Sequence, residues 1–268
     1  MSTLGKAVRL RRLKNPESGR ILTVALDHAP SYGVMEGLEN IRLVVEQVAN
    51  GGPDAIMLMK GTAERCFHSY AGQIALILKC STVSPLHLEQ DVWVSSVEDA
   101  LRLGADAIAM AVTVGSPQQP QLLANLAALV REAEGVGMPV IAHAYPNGGL
   151  IPPDERYSVA RVAYAARLAM ELGVDIVKTF YTGSAETFAQ VVEVATPALV
   201  VAAGGPRLET DADTLRMAYN VVQAGGNGIT FGRNVWQSKN LHGMMRALKQ
   251  VVHKNGSVDE ALTKMTAG

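Results

Sequence analysis

One pattern recurs along the chain: a glycine, then a polar residue, then a short apolar run. The clear copies begin at Gly52-Pro-Asp54, Gly104-Ala-Asp106 and Gly173-Val-Asp175, and a weaker copy begins at Gly226-Asn227. Glycine suits the left-handed residue that ends a helix, and an unbroken apolar run suits a strand buried on both faces. Each copy therefore predicts a junction between a helix and a following strand.

Further apolar runs lie between these copies, at Ile21–Leu26, around Leu76–Val83, at Met138–Ala142 and at Ala198–Ala202. Combining both sets predicts eight strands, at 21–26, 54–59, 76–83, 106–112, 138–143, 174–179, 198–203 and 227–231. Helical patterns separate them, at Leu38–Ala49, Val97–Leu103 and Val159–Leu172. Ser95 and Glu98 have the spacing of a capping box for the second of these helices.

Eight alternating strands and helices in 268 residues, with no linker between them, predict an α/β fold, a single (β/α)8 TIM barrel. A doubly wound open sheet is the alternative. We expect one domain over residues 1–268, in which residues 1–20 form a short extension that caps the barrel.

The composition excludes several classes of partner. Charged residues make up 18% of the chain and the net charge is −1, which predicts no nucleic-acid or membrane surface, since those partners select a basic field. Cys66 and Cys80 form no CxxC or Cys/His pair, so neither structural zinc nor a disulfide framework is expected. The basic N-terminus has no apolar core of the kind a signal peptide needs. We expect a cytoplasmic protein with a small-molecule substrate.

In a barrel, catalytic groups lie at the C-terminal ends of the strands. Lys178 lies inside the apolar strand predicted at 174–179. Burial lowers the pKa of a lysine, and a neutral amine is what a Schiff-base nucleophile requires near pH 7. A lysine paired with a carboxylate, or one reaching solvent, is the structural alternative.

The last two predicted strands end in glycine-rich segments, and barrels often bind phosphate there. These segments contain Gly204, Gly205 and Gly232, and Arg233 could add a charge-assisted contact. Asp27 and Tyr145 follow other strands and are candidates for proton transfer.

Lys60, which ends the second predicted strand, could bind the substrate or lower the pKa of Lys178. A salt bridge at the rim is its alternative role. His28, His87 and His143 lie near strand ends, so a metal site with Asp27 or Glu89 must be weighed. However, no two of these histidines have close ligand spacing such as HxH, and His28 is better interpreted as a substrate-binding residue.

These motifs resemble the class I aldolase family that includes archaeal-type fructose-bisphosphate aldolase and its relatives acting on deoxy-ketose and autoinducer-2 phosphates. The resemblance is carried, in order along nearly the whole chain, by Leu26-Asp27-His28, Met59-Lys60-Gly61, Tyr145-Pro146, Ile176 to Tyr181, Ala203-Gly204-Gly205 and Gly232-Arg233-Asn234.

The resemblance implies that Lys178 forms the Schiff base, that Tyr145 transfers protons, and that Asp27 is the aspartate of the first strand. It implies a phosphate site in the two glycine loops, a mechanism without metal or other cofactor, and a ring-type homo-oligomer, with a decamer as one candidate size. Ala144 and Asn147 stand where the family commonly has an aromatic residue and an arginine. Loss of that phosphate-binding cation weighs against a bisphosphate substrate.

The hypothesis from the sequence is reversible aldol cleavage of a phosphorylated ketose with a dihydroxyacetone phosphate-type donor. The first rival is a lysine-dependent transferase or thiolase acting on a ketose or autoinducer-2 phosphate. A metal-dependent barrel lyase or hydrolase and a non-catalytic sugar-phosphate sensor are the other two.

Overall fold

The structure is a computed structural model that describes residues 3–266. Residues 1, 2, 267 and 268, which the predicted domain includes, lie outside the described residues. The strands are β1 (Ile21–Ala25), β2 (Ala55–Met59), β3 (Ala75–Lys79), β4 (Ser81–Ser84), β5 (His87–Trp93), β6 (Ala107–Thr113), β7 (Val140–Tyr145), β8 (Ile176–Thr179), β9 (Leu199–Ala203) and β10 (Gly228–Phe231). The helices are α1 (Leu4–Arg12), α2 (Ala29–Tyr32), α3 (Ile41–Asn50), α4 (Lys60–Cys66), α5 (Val97–Arg102), α6 (Gln119–Val136), α7 (Val159–Glu171), α8 (Ala185–Ala195), α9 (Asp211–Gln223), α10 (Arg233–Trp236), α11 (Leu241–Lys254) and α12 (Val258–Thr266), with 3-10 turns at His68–Tyr70 and Pro153–Glu155.

Eight parallel strands close into a barrel in the order β1-β10-β9-β8-β7-β6-β3-β2. Strands that are adjacent in the barrel follow one another along the chain, except that the hairpin of β4 and β5 comes between β3 and β6. β10 pairs with β1 and completes the closure. The predicted (β/α)8 barrel is confirmed, and closure excludes the doubly wound open sheet. No helix within residues 3–266 is long and apolar enough to cross a membrane.

The repeated polar residue ties each even-numbered barrel strand to the strand before it. In every copy its backbone N–H donates to the carbonyl of one residue of the preceding strand, and its side chain accepts the N–H of that same residue. The side-chain bonds run from Leu22 N to Asp54 (2.6 Å), Leu76 N to Asp106 (3.2 Å), Val140 N to Asp175 (2.9 Å) and Val200 N to Asn227 (2.8 Å). These N–H groups stand at the start of the ladder, so the side chain supplies an acceptor that a buried donor needs.

Helix α1 lies against the strand starts. Lys6 Nζ is 3.0 Å from Asp175, and Arg12 Nη1 is 3.3 Å from Asp106. Just after the helix, Leu13 is fully buried and packs with the apolar side chains that fill the lower barrel interior. The segment therefore contacts residues at the starts of β6 and β8 and the apolar side chains of the barrel interior.

Alternation along each strand divides the side chains between two cores. Ala55 and Met57 of β2, with Ala75 and Ile77 of β3, belong to the interior cluster, whereas their neighbours in sequence pack outward against the helices. Because side chains alternate between the two faces of a strand, the residue two positions after the last interior residue of a strand also faces the interior. Lys79 continues such a series in β3.

Two local predictions are wrong. The strand predicted at 76–83 ends at Lys79, and Ser81 begins an antiparallel hairpin in which β4 pairs with β5. The β-branched residues Thr82 and Val83 have the same strand propensity as the residues of β3, so the sequence gives no sign that the chain turns after Lys79. The capping box is formed by Ser96 and Asp99, one residue later than predicted, because this register buries Val97 and Ala100 on the inner face of α5.

Candidate active site

A cavity of about 220 Å3 opens at the C-terminal ends of the barrel strands. Eight of the nine predicted site residues line it: Asp27, His28, Tyr145, Lys178, Gly204, Gly205, Gly232 and Arg233. These residues come from the ends of five strands, so barrel closure is what brings them together. The concave shape and convergent polar groups are those of a small-molecule site.

Lys178 lies in β8 with its side chain in the cavity and is only 7% exposed. It is level with His143 of β7 on one side and Val201 of β9 on the other. Burial lowers the pKa of Lys178 to about 8; the Asp27 carboxylate opposes this change, and the nearby charge of Lys79 reinforces it. A substantial fraction of the amine is therefore neutral, and nucleophilic, near physiological pH.

Asp27 and Tyr145 differ in protonation state. Burial raises the pKa of Asp27, but the nearby positive charges, chiefly that of Lys178 and also that of Lys79, outweigh it, so the net pKa is lowered and the carboxylate is ionised. Burial raises the pKa of Tyr145 well above its usual value, and the neighbouring Tyr32 and Asp27 add to this effect. One group can accept a proton at neutral pH, and the other can donate one.

Asn234 holds the glycine loop that follows β9. Its fully buried amide donates to the Gly204 carbonyl at 2.7 Å and the Pro206 carbonyl at 3.1 Å, and its oxygen accepts the Leu208 N–H at 2.8 Å. A Cβ on Gly204 would lie 2.9 Å from the Phe231 ring and 3.1 Å from the Asn234 nitrogen. The loop can approach this closely only because the residue is glycine.

Gly232 provides a similar close approach after β10. A Cβ at this position would lie 2.5 Å from His28 Cε1, so the absence of a side chain lets the imidazole pack beside the loop. The His28 ring also lies edge-on to Trp236, with centroids 5.5 Å apart. Burial lowers the pKa of His28 to about 4, which keeps it neutral. The buried Nε of Arg233 has no hydrogen-bond partner among residues 3–266, so it is free to bind a ligand.

Lys60 is not brought to the cavity, contrary to its predicted role. Strand β2 ends at Met59, the residue level with the inward-facing Lys79, and Lys60 is the first residue of α4, outside the strand ladder. Its side chain is 42% exposed and its Nζ lies 2.7 Å from Asp99. The rim salt bridge, which was the alternative interpretation, is what the structure contains.

Several cavity residues were not among the predicted site residues. Lys79 is 5% exposed, Asp91 of β5 is 9% exposed, and the Phe180 ring stacks on Tyr145 with centroids 4.7 Å apart. His143 is 4% exposed, and its Nε2 has no partner within the described part of the chain. Burial lowers the pKa of His143 well below its usual value. Counting alternate residues back from Tyr145 would have found His143, but no sequence signal identifies Asp91.

The three histidines weighed as metal ligands do not converge. His28 and His143 line the cavity, whereas His87 is on the exposed hairpin, where its Nδ1 is 3.1 Å from Ser84 Oγ. Residues 3–266 contain no group of three or more His, Cys, Asp or Glu side chains that could hold a metal ion. The ligand set required by the metal-dependent rival is therefore not assembled.

A barrel with a buried, partly neutral lysine at the centre of its C-terminal cavity defines the class of Schiff-base lyases. The family model for DeoC/LacD family aldolases matches residues 21–238. The chain belongs to this family, and it is a class I aldolase, as the resemblance implied.

Curated relatives match over nearly the full length. The chain is 33% identical to 2-amino-3,7-dideoxy-D-threo-hept-6-ulosonate synthase of Halobacterium salinarum, over 98% of this chain and 97% of that protein. It is also 33% identical to the class 1 fructose-bisphosphate aldolase of Thermoproteus tenax, over 91% of this chain and 94% of that protein.

Solved structures show the same architecture. The crystal structure of an archaeal fructose 1,6-bisphosphate aldolase superposes with a TM-score of 0.85 at 31% identity, covering 93% of this chain and 99% of that one. A second structure, with TM-score 0.84, 31% identity and coverage of 92% and 99%, is an archaeal enzyme of this kind with its catalytic lysine covalently bound to the carbinolamine intermediate.

Proposed function

We propose that this enzyme reversibly cleaves a phosphorylated ketose by forming a Schiff base through Lys178, with a dihydroxyacetone phosphate-type donor. The observation that carries the proposal is the buried Lys178 amine, with its pKa of about 8, near the ionised Asp27 in the cavity at the strand ends. Among the described residues that line the cavity, Lys79 is the only other lysine.

The reaction begins when the neutral Lys178 amine attacks the ketone carbon to give a carbinolamine. Loss of water then leaves a cationic iminium, which serves as an electron sink. Lys178 is held by the strand ladder on both sides, so the amine is fixed relative to a bound ketone. Such positioning removes much of the entropic barrier to attack.

Cleavage requires a base for the hydroxyl on the carbon that becomes the aldehyde, which is the end of the breaking bond farther from the iminium. We assign this role to Asp27, because its lowered pKa keeps it ionised. As the hydroxyl proton leaves, the carbon–carbon bond electrons pass to the iminium, the aldehyde departs and an enamine remains. Tyr145, whose raised pKa keeps its proton, then protonates the enamine carbon, and hydrolysis releases the ketone and the free amine. General acid–base help of this kind contributes about 10²–10⁴-fold.

The phosphate is assigned to the loops that contain Gly204, Gly205, Gly232 and Arg233. They follow β9 and β10, and β9 adjoins the strand of Lys178 in the barrel. A phosphate bound there would therefore lie beside the reacting ketone, as in a 2-ketose 1-phosphate. His28 packs between the β10 loop and the cavity, where its neutral imidazole can donate to a substrate oxygen.

A lysine-dependent transferase or synthase is the second candidate, because one relative at 33% identity is a synthase and another at the same identity is an aldolase. Both chemistries can use the same imine and enamine, and they differ in the acceptor.

We also propose that the enzyme acts as one barrel domain in a cytoplasmic, ring-type homo-oligomer. Free thiols at Cys66 and Cys80 support a reducing compartment. Exposed apolar side chains on the hairpin, Leu86, Leu88 and Val92, support a contact between subunits.

The test is intact-mass spectrometry after borohydride reduction with dihydroxyacetone phosphate and several ketose phosphates, on the wild type and on Lys178→Ala. We expect a stable adduct that maps to Lys178 in the wild type alone. Lys178→Arg serves as a control that keeps a cation at the site without an attacking amine. An adduct at another lysine, or none with any ketone tested, would contradict the mechanism.

A further inference from the structure

A second group of buried charges lines the cavity and has no part in the mechanism above. Lys79 comes from the end of β3, and Asp91 comes from the hairpin strand β5 that leans over the cavity. Ser81, which is 1% exposed, lies between them in the hydrogen-bond network.

The hydrogen bonds within the protein show which donors and acceptors of Lys79, Ser81 and Asp91 remain available to a ligand. Lys79 Nζ donates to the Ser81 hydroxyl oxygen at 2.9 Å and to the Ser81 carbonyl, which accounts for two of its three hydrogens. The Ser81 oxygen also accepts the Ala111 N–H at 2.9 Å, and Ser81 is close enough to Asp91 to lower the pKa of that carboxyl against the effect of burial. Within residues 3–266, the third Lys79 hydrogen and the remaining Asp91 lone pairs have no hydrogen-bond partner.

Both side chains line the cavity, so a ligand that enters it can use this hydrogen-bonding capacity. Buried charges are stabilised when they are paired or hydrogen-bonded. The charges of Lys79 and Asp91 cancel, so the pair offers a donor and acceptors without attracting an anion. A phosphate placed there would meet the Asp91 carboxylate. Hydroxyl groups, which both donate and accept, fit this arrangement.

The position in the barrel indicates which part of a substrate would reach the pair. β3 is diametrically opposite β9, since three strands separate them in either direction around the ring. If the phosphate binds the loops after β9 and β10 and the ketone reaches Lys178, the far carbons of the chain extend across the cavity toward β3.

We propose that Lys79 and Asp91, linked through Ser81, form a subsite for the hydroxyl groups at the unphosphorylated end of the substrate. The enzyme would then act on ketose monophosphates and would prefer a neutral hydroxyaldehyde over a phosphorylated aldehyde as acceptor. This inference rests on the proposed function and specifies its substrate class.

The test measures kcat/KM in the synthesis direction, with dihydroxyacetone phosphate as donor and glyceraldehyde, glyceraldehyde 3-phosphate or propanal as acceptor. Wild type should favour glyceraldehyde over each of the other two by about tenfold or more, the scale of a hydrogen bond to a charged group. Asp91→Asn leaves the Lys79 charge uncompensated, so the preference for glyceraldehyde over its phosphate should fall by about tenfold or reverse. Lys79→Met should reduce activity with both hydroxylated acceptors toward that with propanal.

Glu89→Gln is the matched control. It removes one carboxylate from the same strand, outside the cavity lining, while its amide oxygen can still accept the Gly149 N–H that Glu89 accepts at 3.0 Å. This variant should keep the wild-type selectivity. Every variant is also tested for the borohydride adduct with dihydroxyacetone phosphate, which is too short to need the subsite.

The outcomes separate the two proposals. If wild type forms the adduct but prefers the phosphorylated aldehyde, or if Asp91→Asn and Glu89→Gln change selectivity equally, the subsite is wrong and the Schiff-base function stands. If wild type forms no adduct at Lys178, the proposed function fails and the subsite assignment falls with it. The wild-type preference alone decides the case if a variant does not fold.

Discussion

The pKa of Lys178 sets how the rate of Schiff-base formation depends on pH. At pH 7, a lysine with its ordinary pKa of 10.5 is neutral in about 0.03% of molecules, whereas one with a pKa of about 8 is neutral in about 10%. Burial in the barrel interior therefore raises the reactive fraction by about 300-fold at this pH. The rate of imine formation should rise with pH and level off above a midpoint near 8.

The assay is the rate of trapping of dihydroxyacetone phosphate by cyanoborohydride, followed by intact mass from about pH 6 to about pH 10, a range that spans the titration of a perturbed lysine. Lys178→Ala gives the background from surface lysines. Substrate is kept in large excess, so that the rate reports the fraction of neutral amine.

Two substitutions should move the midpoint in opposite directions. Asp27→Asn removes a negative charge that raises the pKa of Lys178, so the midpoint should fall. Lys79→Met removes a positive charge that lowers it, so the midpoint should rise. A wild-type midpoint near the ordinary lysine value, or a shift of both variants in the same direction, would refute the electrostatic argument.

Three further substitutions test separate parts of the structure. Asn234→Ala leaves the buried carbonyl of Gly204 and other loop groups unpaired. The unfolding free energy measured in urea should therefore fall by about 3 kcal/mol. KM for the phosphorylated donor should rise by a larger factor than kcat falls. Asp106→Ala removes the acceptor of the Leu76 N–H at the end of the barrel opposite the cavity. The unfolding free energy should therefore fall by about 1–3 kcal/mol while kcat/KM stays unchanged. A loss of activity without a loss of unfolding free energy would contradict this. Lys60→Ala should leave both kcat/KM and Tm unchanged, because Lys60 pairs with Asp99 outside the cavity, and a large rise in KM would restore its predicted role.

The fold could be predicted because one local rule is repeated around the barrel. Glycine ends a helix and a polar side chain caps the start of the next ladder, as at Gly104 and Asp106. The glycine and the polar cap are each required by contacts between neighbouring strands and helices only. They therefore recur in the sequence once in every copy of the repeated pattern. The hairpin of β4 and β5 leaves no such trace, because its strands carry the same β-forming residues as a continuing barrel strand.

Lys60 and Lys79 show why the site was predicted only in part. Each lysine ends an apolar run, and no composition or propensity distinguishes them. A shift of one residue in the register turns a strand side chain from the interior to the outside, so the choice depends on where each strand starts in the ladder. β2 and β3 pair with Met59 level with Lys79, which leaves Lys79 inside the ladder, whereas Lys60 falls just past it as the first residue of α4 and pairs with Asp99.

The same alternation explains how the barrel can hold a partly neutral amine. Along β8, Ile176 lies in the apolar layer of the interior, and Lys178, the next inward-facing residue, lies directly above it. The apolar layer supplies the desolvation that lowers the pKa of Lys178, while the polar layer that lines the cavity includes Asp27, whose carboxylate limits the shift. A lysine at position 176 would lie among the apolar side chains of the interior cluster, whereas position 180 is only partly buried and would lower the pKa of a lysine less. The reactive group is therefore confined to the boundary between the two layers, where desolvation and a counter-charge act together.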